Sequence, residues 1–203
     1  EVATTLASLA FVLDHQGKRQ AAVDLLREAL ETRRRTLGPA HPDVAAAGSS
    51  LAYWLTETGQ YGEAERLAAE SLAIRRKALG PEHPQVAGTL TVQANLLLAQ
   101  GRYEEALQHM ETAWSAGHRD AVTRLLYGDA LVAAGRVPEA AAVVRGLMFA
   151  PERLSGQAWD RYWQSQDYRR TADAWAAVLL LKPDDAFAAQ SRADAMARLG
   201  GEH

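Results

Sequence analysis

Leu37-Gly38-Pro39-Ala40-His41-Pro42 returns forty-two residues later as Leu79-Gly80-Pro81-Glu82-His83-Pro84. Three longer segments superimpose in the same phase: Val2-Ala3 through Gln16-Gly17, Val44-Ala45 through Thr58-Gly59, and Val86-Ala87 through Gln100-Gly101. Link and body matching at one offset mark a tandem array, in which each unit buries its apolar face against its neighbours. The next glycine of the series, Gly135, follows Gly101 by 34 residues, so the long link is dropped there.

Around each glycine the residues obey one plan. Gly-x-Tyr-x-x-Ala stands as Gly59 to Ala64 and Gly101 to Ala106, and degrades at Gly17 to Ala22 and Gly135 to Ala140. The glycine ends a helix in a conformation that disfavours side chains. Ala10, Ala52, Ala94 and Gly128 before the turn, and Ala22, Ala64, Ala106 and Ala140 after it, let two helices approach closely. Leu13, Leu55, Leu97 and Leu131 fill the larger holes of the same face. Pro42, Pro84 and Pro183 stop one helix and suit the start of the next. Tyr168, Trp175 and Pro183 continue the plan into a fifth unit, with Gln166 at the glycine position.

The predicted helix pairs are 2–16 with 19–37, 42–58 with 61–79, 84–100 with 103–116, 118–134 with 137–149, and 152–165 with 168–181. A polar helix over 184–199, started by Asp184 and Asp185, closes the stack. Ala, Leu, Arg and Glu dominate, and β-branched runs are missing, so the chain reads as all-α.

These motifs resemble the tetratricopeptide-repeat family, and the 42-residue form with its Leu-Gly-Pro-x-His-Pro-x-Val link resembles the kinesin-light-chain-like subgroup. The resemblance implies a right-handed superhelical solenoid of antiparallel helix pairs. Residues 1–116 would be three kinesin-light-chain-like units, 118–183 two degenerate ones, and 184–199 a cap, in one continuous solenoid. Glu1-Val2 has the phase of Asp43-Val44 and Gln85-Val86, so the array is expected to begin upstream, with at least one more repeat or another domain there.

The composition excludes several classes of function. Lys and Arg total 22 against 25 Asp and Glu, so no net basic field exists to neutralise nucleic-acid phosphates. There is no cysteine for disulfides, thiolate catalysis or zinc, and no apolar run of membrane-spanning length. A cytoplasmic chain without nucleic-acid, membrane or small-molecule partners is expected.

Candidate chemistry is sparse. His41 and His83 stand one repeat apart, too distant to share a metal, and each is expected to cap or pack its own link. Asp14-His15 has no nearby nucleophile. Arg33-Arg34-Arg35 and Arg75-Arg76-Lys77 end equivalent helices, where cations complement the dipole. No phosphate loop, nucleophile elbow or carboxylate pair appears. No catalysis, cofactor or metal is expected.

By resemblance, first helices line a concave groove. The positions implied are Thr4, Ala7, Phe11 and Asp14, then Ala46, Ser49, Tyr53 and Thr56. They continue as Thr91, Asn95 and Leu98, and as Val122, Leu125, Asp129 and Val132. Within the series Phe11, Tyr53, Asn95 and Asp129, the aromatics suggest an apolar anchor and Asn95 a grip on peptide backbone. Packing between units is the competing reading for Phe11 and Tyr53.

Two departures from the family narrow the ligand. The tandem Asn pair of kinesin light chains is replaced by Ala7-Ser8, Ser49-Ser50 and Thr91-Val92. The carboxylate clamp of the chaperone-binding branch retains Asn95 but no Lys or Arg. The aromatics Trp159, Tyr162, Trp163, Tyr168 and Trp175 are expected to form a packed terminal core. The expected function is a scaffold holding a peptide or helix, the partner being a separate protein or another domain of the same full-length chain. The alternatives are the regulatory or sensor part of a bacterial signalling protein such as a Ser/Thr kinase or transcription regulator and, third, an enzyme with a site in the groove.

Overall fold

The computed structural model describes residues 9, 10, 12, 13, 16–147, 150, 154, 156, 162, 164 and 166–200. It divides into two compact units, Glu1–His118 and Arg119–His203. The first contains α1 (Arg19–Leu37), α2 (Pro42–Glu57), α3 (Tyr61–Leu79), α4 (Pro84–Ala99) and α5 (Tyr103–Ser115). The second contains α6 (Ala121–Ala133), α7 (Val137–Val144), α8 (Tyr168–Leu181) and α9 (Ala186–Gly200). Among the described residues there is no strand, and no helix long and apolar enough to cross a membrane.

The glycine turns take the expected form. Gly17, Gly59, Gly101 and Gly135 have φ of 74°, 76°, 75° and 74°, the left-handed region. The next residue donates its N–H five residues back: Lys18 to Leu13, Gln60 to Leu55, Arg102 to Leu97 and Arg136 to Leu131. Each turn is thus a Schellman cap, in which the left-handed residue lets the chain satisfy a terminal carbonyl. The repeated leucine accepts the bond and also packs inward: Leu55 and Leu131 are fully buried.

The fifth unit builds the same turn without glycine. Asp167 donates to the Tyr162 carbonyl, and Gln166 has φ of 62°, the only left-handed non-glycine among the described residues. Such a conformation costs an L-residue about 1–2 kcal/mol, while glycine costs about 0.5–1 kcal/mol in chain entropy. Gln166→Gly is therefore expected to stabilise the second unit by about 0.5–1 kcal/mol, read from its denaturation midpoint. Destabilisation would show that the Gln166 side chain contributes more than the backbone strain.

Packing follows the small-residue plan. Ala52, Ala94, Ala64, Ala106 and Ala140 are all buried where helices of a pair cross. In the first unit α1 packs on α2, α2 on α3 and on α4, α3 on α4, and α4 on α5. Val23, Leu26, Leu30, Leu51, Leu55 and Leu67 join one core, each buried aliphatic contributing about 1.5–3 kcal/mol. In the second unit α6 packs on α7, and α8 on α6, α7 and α9. Tyr162 and Trp175 are buried, Tyr168 is half-buried, and Trp159 and Trp163 lie outside the described residues.

Three boundaries differ from expectation by more than one residue. α7 stops at Val144 rather than 149, because Gly146 turns left-handed (φ 82°) and Arg124 of α6 takes over the terminal carbonyls. Its Nε donates to Val143 O at 2.8 Å and its Nη2 to Arg145 O at 2.7 Å. α6 begins at Ala121 rather than 118, where Asp120 accepts the Thr123 N–H. α9 begins at Ala186 rather than 184, because of the two acidic residues expected at its start it is Asp185 that provides the cap, accepting the Ala188 N–H.

Candidate functional site

The two histidine links are structural. His41 Nδ1 accepts the Asp43 N–H at 3.1 Å, and His83 Nδ1 accepts the Gln85 N–H at 3.2 Å. Each ring takes the place of a Ser or Asp cap on a helix whose first residue is proline, satisfying one of the otherwise unpaired amides. No group of three or more His, Asp or Glu able to hold a metal occurs among the described residues. Asp14 and His15 lie outside them.

The arginine runs divide by residue. Arg34 bonds Glu31 on its own helix and Glu70 on α3. Arg75 turns inward and is buried, its Nη1 donating to Gln85 O at 3.0 Å and Thr89 Oγ1 at 2.6 Å. Arg34 and Arg75 thus bind neighbouring helices together, while Arg35, Arg76 and Lys77 stay exposed at the helix ends.

Side chains of this kind bridge α1 and α3. Arg27 donates to Glu63 at 2.7 and 3.2 Å and to Gln60 at 2.9 Å. Hydrogen bonds from Arg27, and then its charge, hold the Glu63 carboxyl below the ordinary glutamate value. Because the folded value is depressed, the stabilisation is complete above the unfolded value of about 4.3 and is lost as pH falls through the folded one. Both side chains are about a third exposed, which limits the effect to about 0.5 kcal/mol. Glu63→Gln is expected to flatten the loss of stability between about pH 5 and 3. An unchanged slope would mean that Glu63 titrates alike in both states.

The first-helix positions separate into buried and accessible sets. Phe11, Asp14, Thr4 and Ala7 lie outside the described residues. Ser49, Thr56, Thr91, Asn95, Leu98, Asp129 and Val132 are buried, whereas Ala46, Tyr53 and Leu125 are half-buried and Val122 is exposed. Thr56 and Thr91 return their hydroxyls to the carbonyls of Ala52 and Ala87 on their own helices. Leu98 and Val132 are packing residues.

The accessible stripe of α2 is Ala46, Ser50, Tyr53 and Glu57, and that of α4 is Gly88, Val92 and Ala99. Ala46 and Tyr53 stand where expected, whereas Ser50, Glu57, Val92 and Ala99 each lie one residue beyond the expected Ser49, Thr56, Thr91 and Leu98. α2 and α4 pack side by side, which covers the flank bearing Ser49 and Thr56 and turns Ser50 and Glu57 to solvent. Asn95 joins the stripes by donating Nδ2 to Glu57 Oε1 at 3.2 Å. Tyr53 stands edge-on to Trp54, with ring centres 5.7 Å apart. Sequence reasoning missed Glu57, and placed Ser50 and Val92 only where the absent Asn pair would stand. Their signal was the i, i+4, i+7, i+11 spacing, equally compatible with helix geometry.

The same architecture is found in known proteins. The tetratricopeptide-repeat profile matches residues 1–77 and 46–116, and a second profile of the same description matches 97–152. No curated protein matches. Among solved structures, nearly identical TPR-like repeats from a Podosopora anserina protein of kinesin-light-chain type superpose with TM-score 0.62 at 22% identity, covering 98% of this chain and 95% of that one. A thermophilic TPR protein of Thermus thermophilus gives 0.58 at 21% identity, covering 96% and 98%. BtubC from P. vanneervenii gives 0.59 at 21%, covering 70% and 60%. At these identities the likeness establishes the fold: an all-α solenoid of helix pairs.

Proposed function

The chain belongs to the tetratricopeptide-repeat family, whose repeats are in general protein–protein interaction modules, and from that premise we propose that its first-helix face binds a polypeptide segment. The observation that carries this reading is the pair of adjoining stripes on α2 and α4, linked by Asn95 and Glu57. Tyr53 and Val92 offer an apolar contact. Glu57, oriented by Asn95, offers a carboxylate to a backbone N–H or a cationic side chain. The segment recognised would therefore carry an apolar residue beside a hydrogen-bond donor, held as a peptide or helix without chemical change.

Peptides selected from a display library against the wild-type chain provide the test. An aromatic anchor contributes about 2 kcal/mol or more, so Tyr53→Ala should weaken the selected peptides at least about tenfold by titration calorimetry while leaving helicity unchanged. Peptides that bind Tyr53→Ala and Glu57→Gln as tightly as wild type would place recognition elsewhere.

A further inference from the structure

The 42-residue repeat contains its own control, since each position in the layer of α3, α4 and α5 has an equivalent in the layer of α1, α2 and α3. In the first layer the furrow between the second helices α1 and α3 is occupied. Arg27 crosses it to Glu63 and Gln60, and Trp54 packs against the core. In the second layer Ala69 stands where Arg27 does, Ala68 where Leu26 does, and Leu96 where Trp54 does. Three side chains have shrunk together, and a cleft of about 140 Å³ lies between α3 and α5 with α4 beneath.

The lining has changed character as well as size. Glu65 replaces the equivalent of Val23, Gln93 that of Leu51, and His109 that of Leu67. Glu105 is retained at the position of Glu63, but α3 sends it no guanidinium. Arg102, in place of Gln60, grips Glu105 from its own helix with two bonds of 2.7 Å and reaches Glu65 at 3.3 Å. A carboxylate has about four lone-pair sites, so both retain acceptor capacity.

Gln93 Oε1 is shielded from solvent and has no hydrogen-bond partner, and its terminal amide torsion is soft enough to meet an entering donor. Burial first, and then the charge of Arg76, hold half-buried His109 below the ordinary imidazole value, so near neutral pH its ring keeps an unprotonated nitrogen. The cleft is rich in acceptors, and the guanidinium in its lining, that of Arg102, is already engaged.

We propose that this cleft receives one arginine side chain of a partner polypeptide, the guanidinium lying over Glu105 as Arg27 lies over Glu63. The planar fork of five N–H donors matches Glu65, Glu105 and Gln93, and the arginine stem replaces the aliphatic volume lost at Ala68 and Ala69. This site lies among the second helices, separate from the first-helix face, so either can fail without the other.

The test is a titration of the whole chain with N-acetyl-argininamide, following the side-chain amide of Gln93 and the ring of His109 by NMR. Saturable shifts with a dissociation constant on the order of 1 mM are expected. The citrulline analogue, of the same shape but uncharged, should bind at least about tenfold more weakly. Ala69→Arg supplies the missing arm from within and should weaken binding at least about tenfold. Gln93→Leu, which restores the residue of the first layer, should also weaken it; circular dichroism of both variants would confirm that they are folded. No saturable shift up to about 20 mM, equal binding of citrulline, or wild-type binding by folded Ala69→Arg would each overturn the proposal. Self-association abolished by Ala69→Arg would give the cleft to a second copy and overturn its assignment to a separate partner.

Discussion

Gly128→Ala is expected to destabilise the second unit by about 1–2 kcal/mol, although the same change on an exposed helix face would stabilise it by about 0.5–1 kcal/mol. A Cβ added at residue 128 would lie 2.5 Å from Val144 Cγ1. Val144 is fully buried in the last turn of α7, and a β-branched side chain in a helix has one strongly preferred rotamer. It cannot swing away, so α6 and α7 must separate. Their carbonyl contact through Arg124 would be disturbed with them.

Gly48 provides the contrast that fixes the cause. A Cβ there would meet Ser71 Oγ at 2.6 Å, but serine can rotate to another well. Gly48→Ala should therefore fall within about 0.5 kcal/mol of wild type, the gain in helix propensity offsetting the adjustment. The measurement is a double-mutant cycle of Gly128→Ala with Val144→Ala by chemical denaturation. Van der Waals conflict requires that Val144→Ala remove most of the penalty, giving a coupling of about 1 kcal/mol. Additive effects, or stabilisation by Gly128→Ala alone, would refute the account.

What the sequence made legible depends on the range of the interaction. The turn at Gly59 was readable because left-handed backbone is a local demand, and the same phase located Gln166 as the residue that would suffer it. The caps at His41 and His83 were readable for the same reason, since each ring bonds only two residues ahead. The end of α7 was not, because Arg124 reaches it from another helix, 19 and 21 residues away. Nor was the choice between Thr56 and Glu57 on α2. Both fit a helical stripe, and only the packing of α4 against one flank decides which is covered. The cleft at Ala69 was hidden differently: each substitution is ordinary alone, and the void appears when equivalent positions are compared across one whole interface.

Arg75 is the residue whose removal is expected to distinguish stem from charge. Its guanidinium is taken out of water, and burial pushes its pKa below the ordinary arginine value, which means that the fold disfavours the charge. No carboxylate pairs with it among the described residues; a carbonyl and the Thr89 hydroxyl accept its Nη1, and its Nε has no hydrogen-bond partner. The equivalent Arg33 stays partly exposed, and Ala47 stands where Thr89 does, so the first link lacks the buried arrangement of the second. The aliphatic stem nevertheless fills space between α3 and the first turns of α4. Arg75→Ala removes stem and charge together and should cost about 2–4 kcal/mol, mainly through the cavity left behind. Arg75→Met keeps most of the volume and discards the unpaired charge, and should lie within about 1 kcal/mol of wild type or be more stable. Denaturation midpoints of the two variants decide the matter. If Met costs as much as Ala, the bonds to Gln85 and Thr89 outweigh the desolvation, and Thr89→Val should then reproduce a large part of the loss. If Met is tolerated, the arginine is retained against a thermodynamic penalty, and its contribution to the link between the second and third repeats is the packing of its stem.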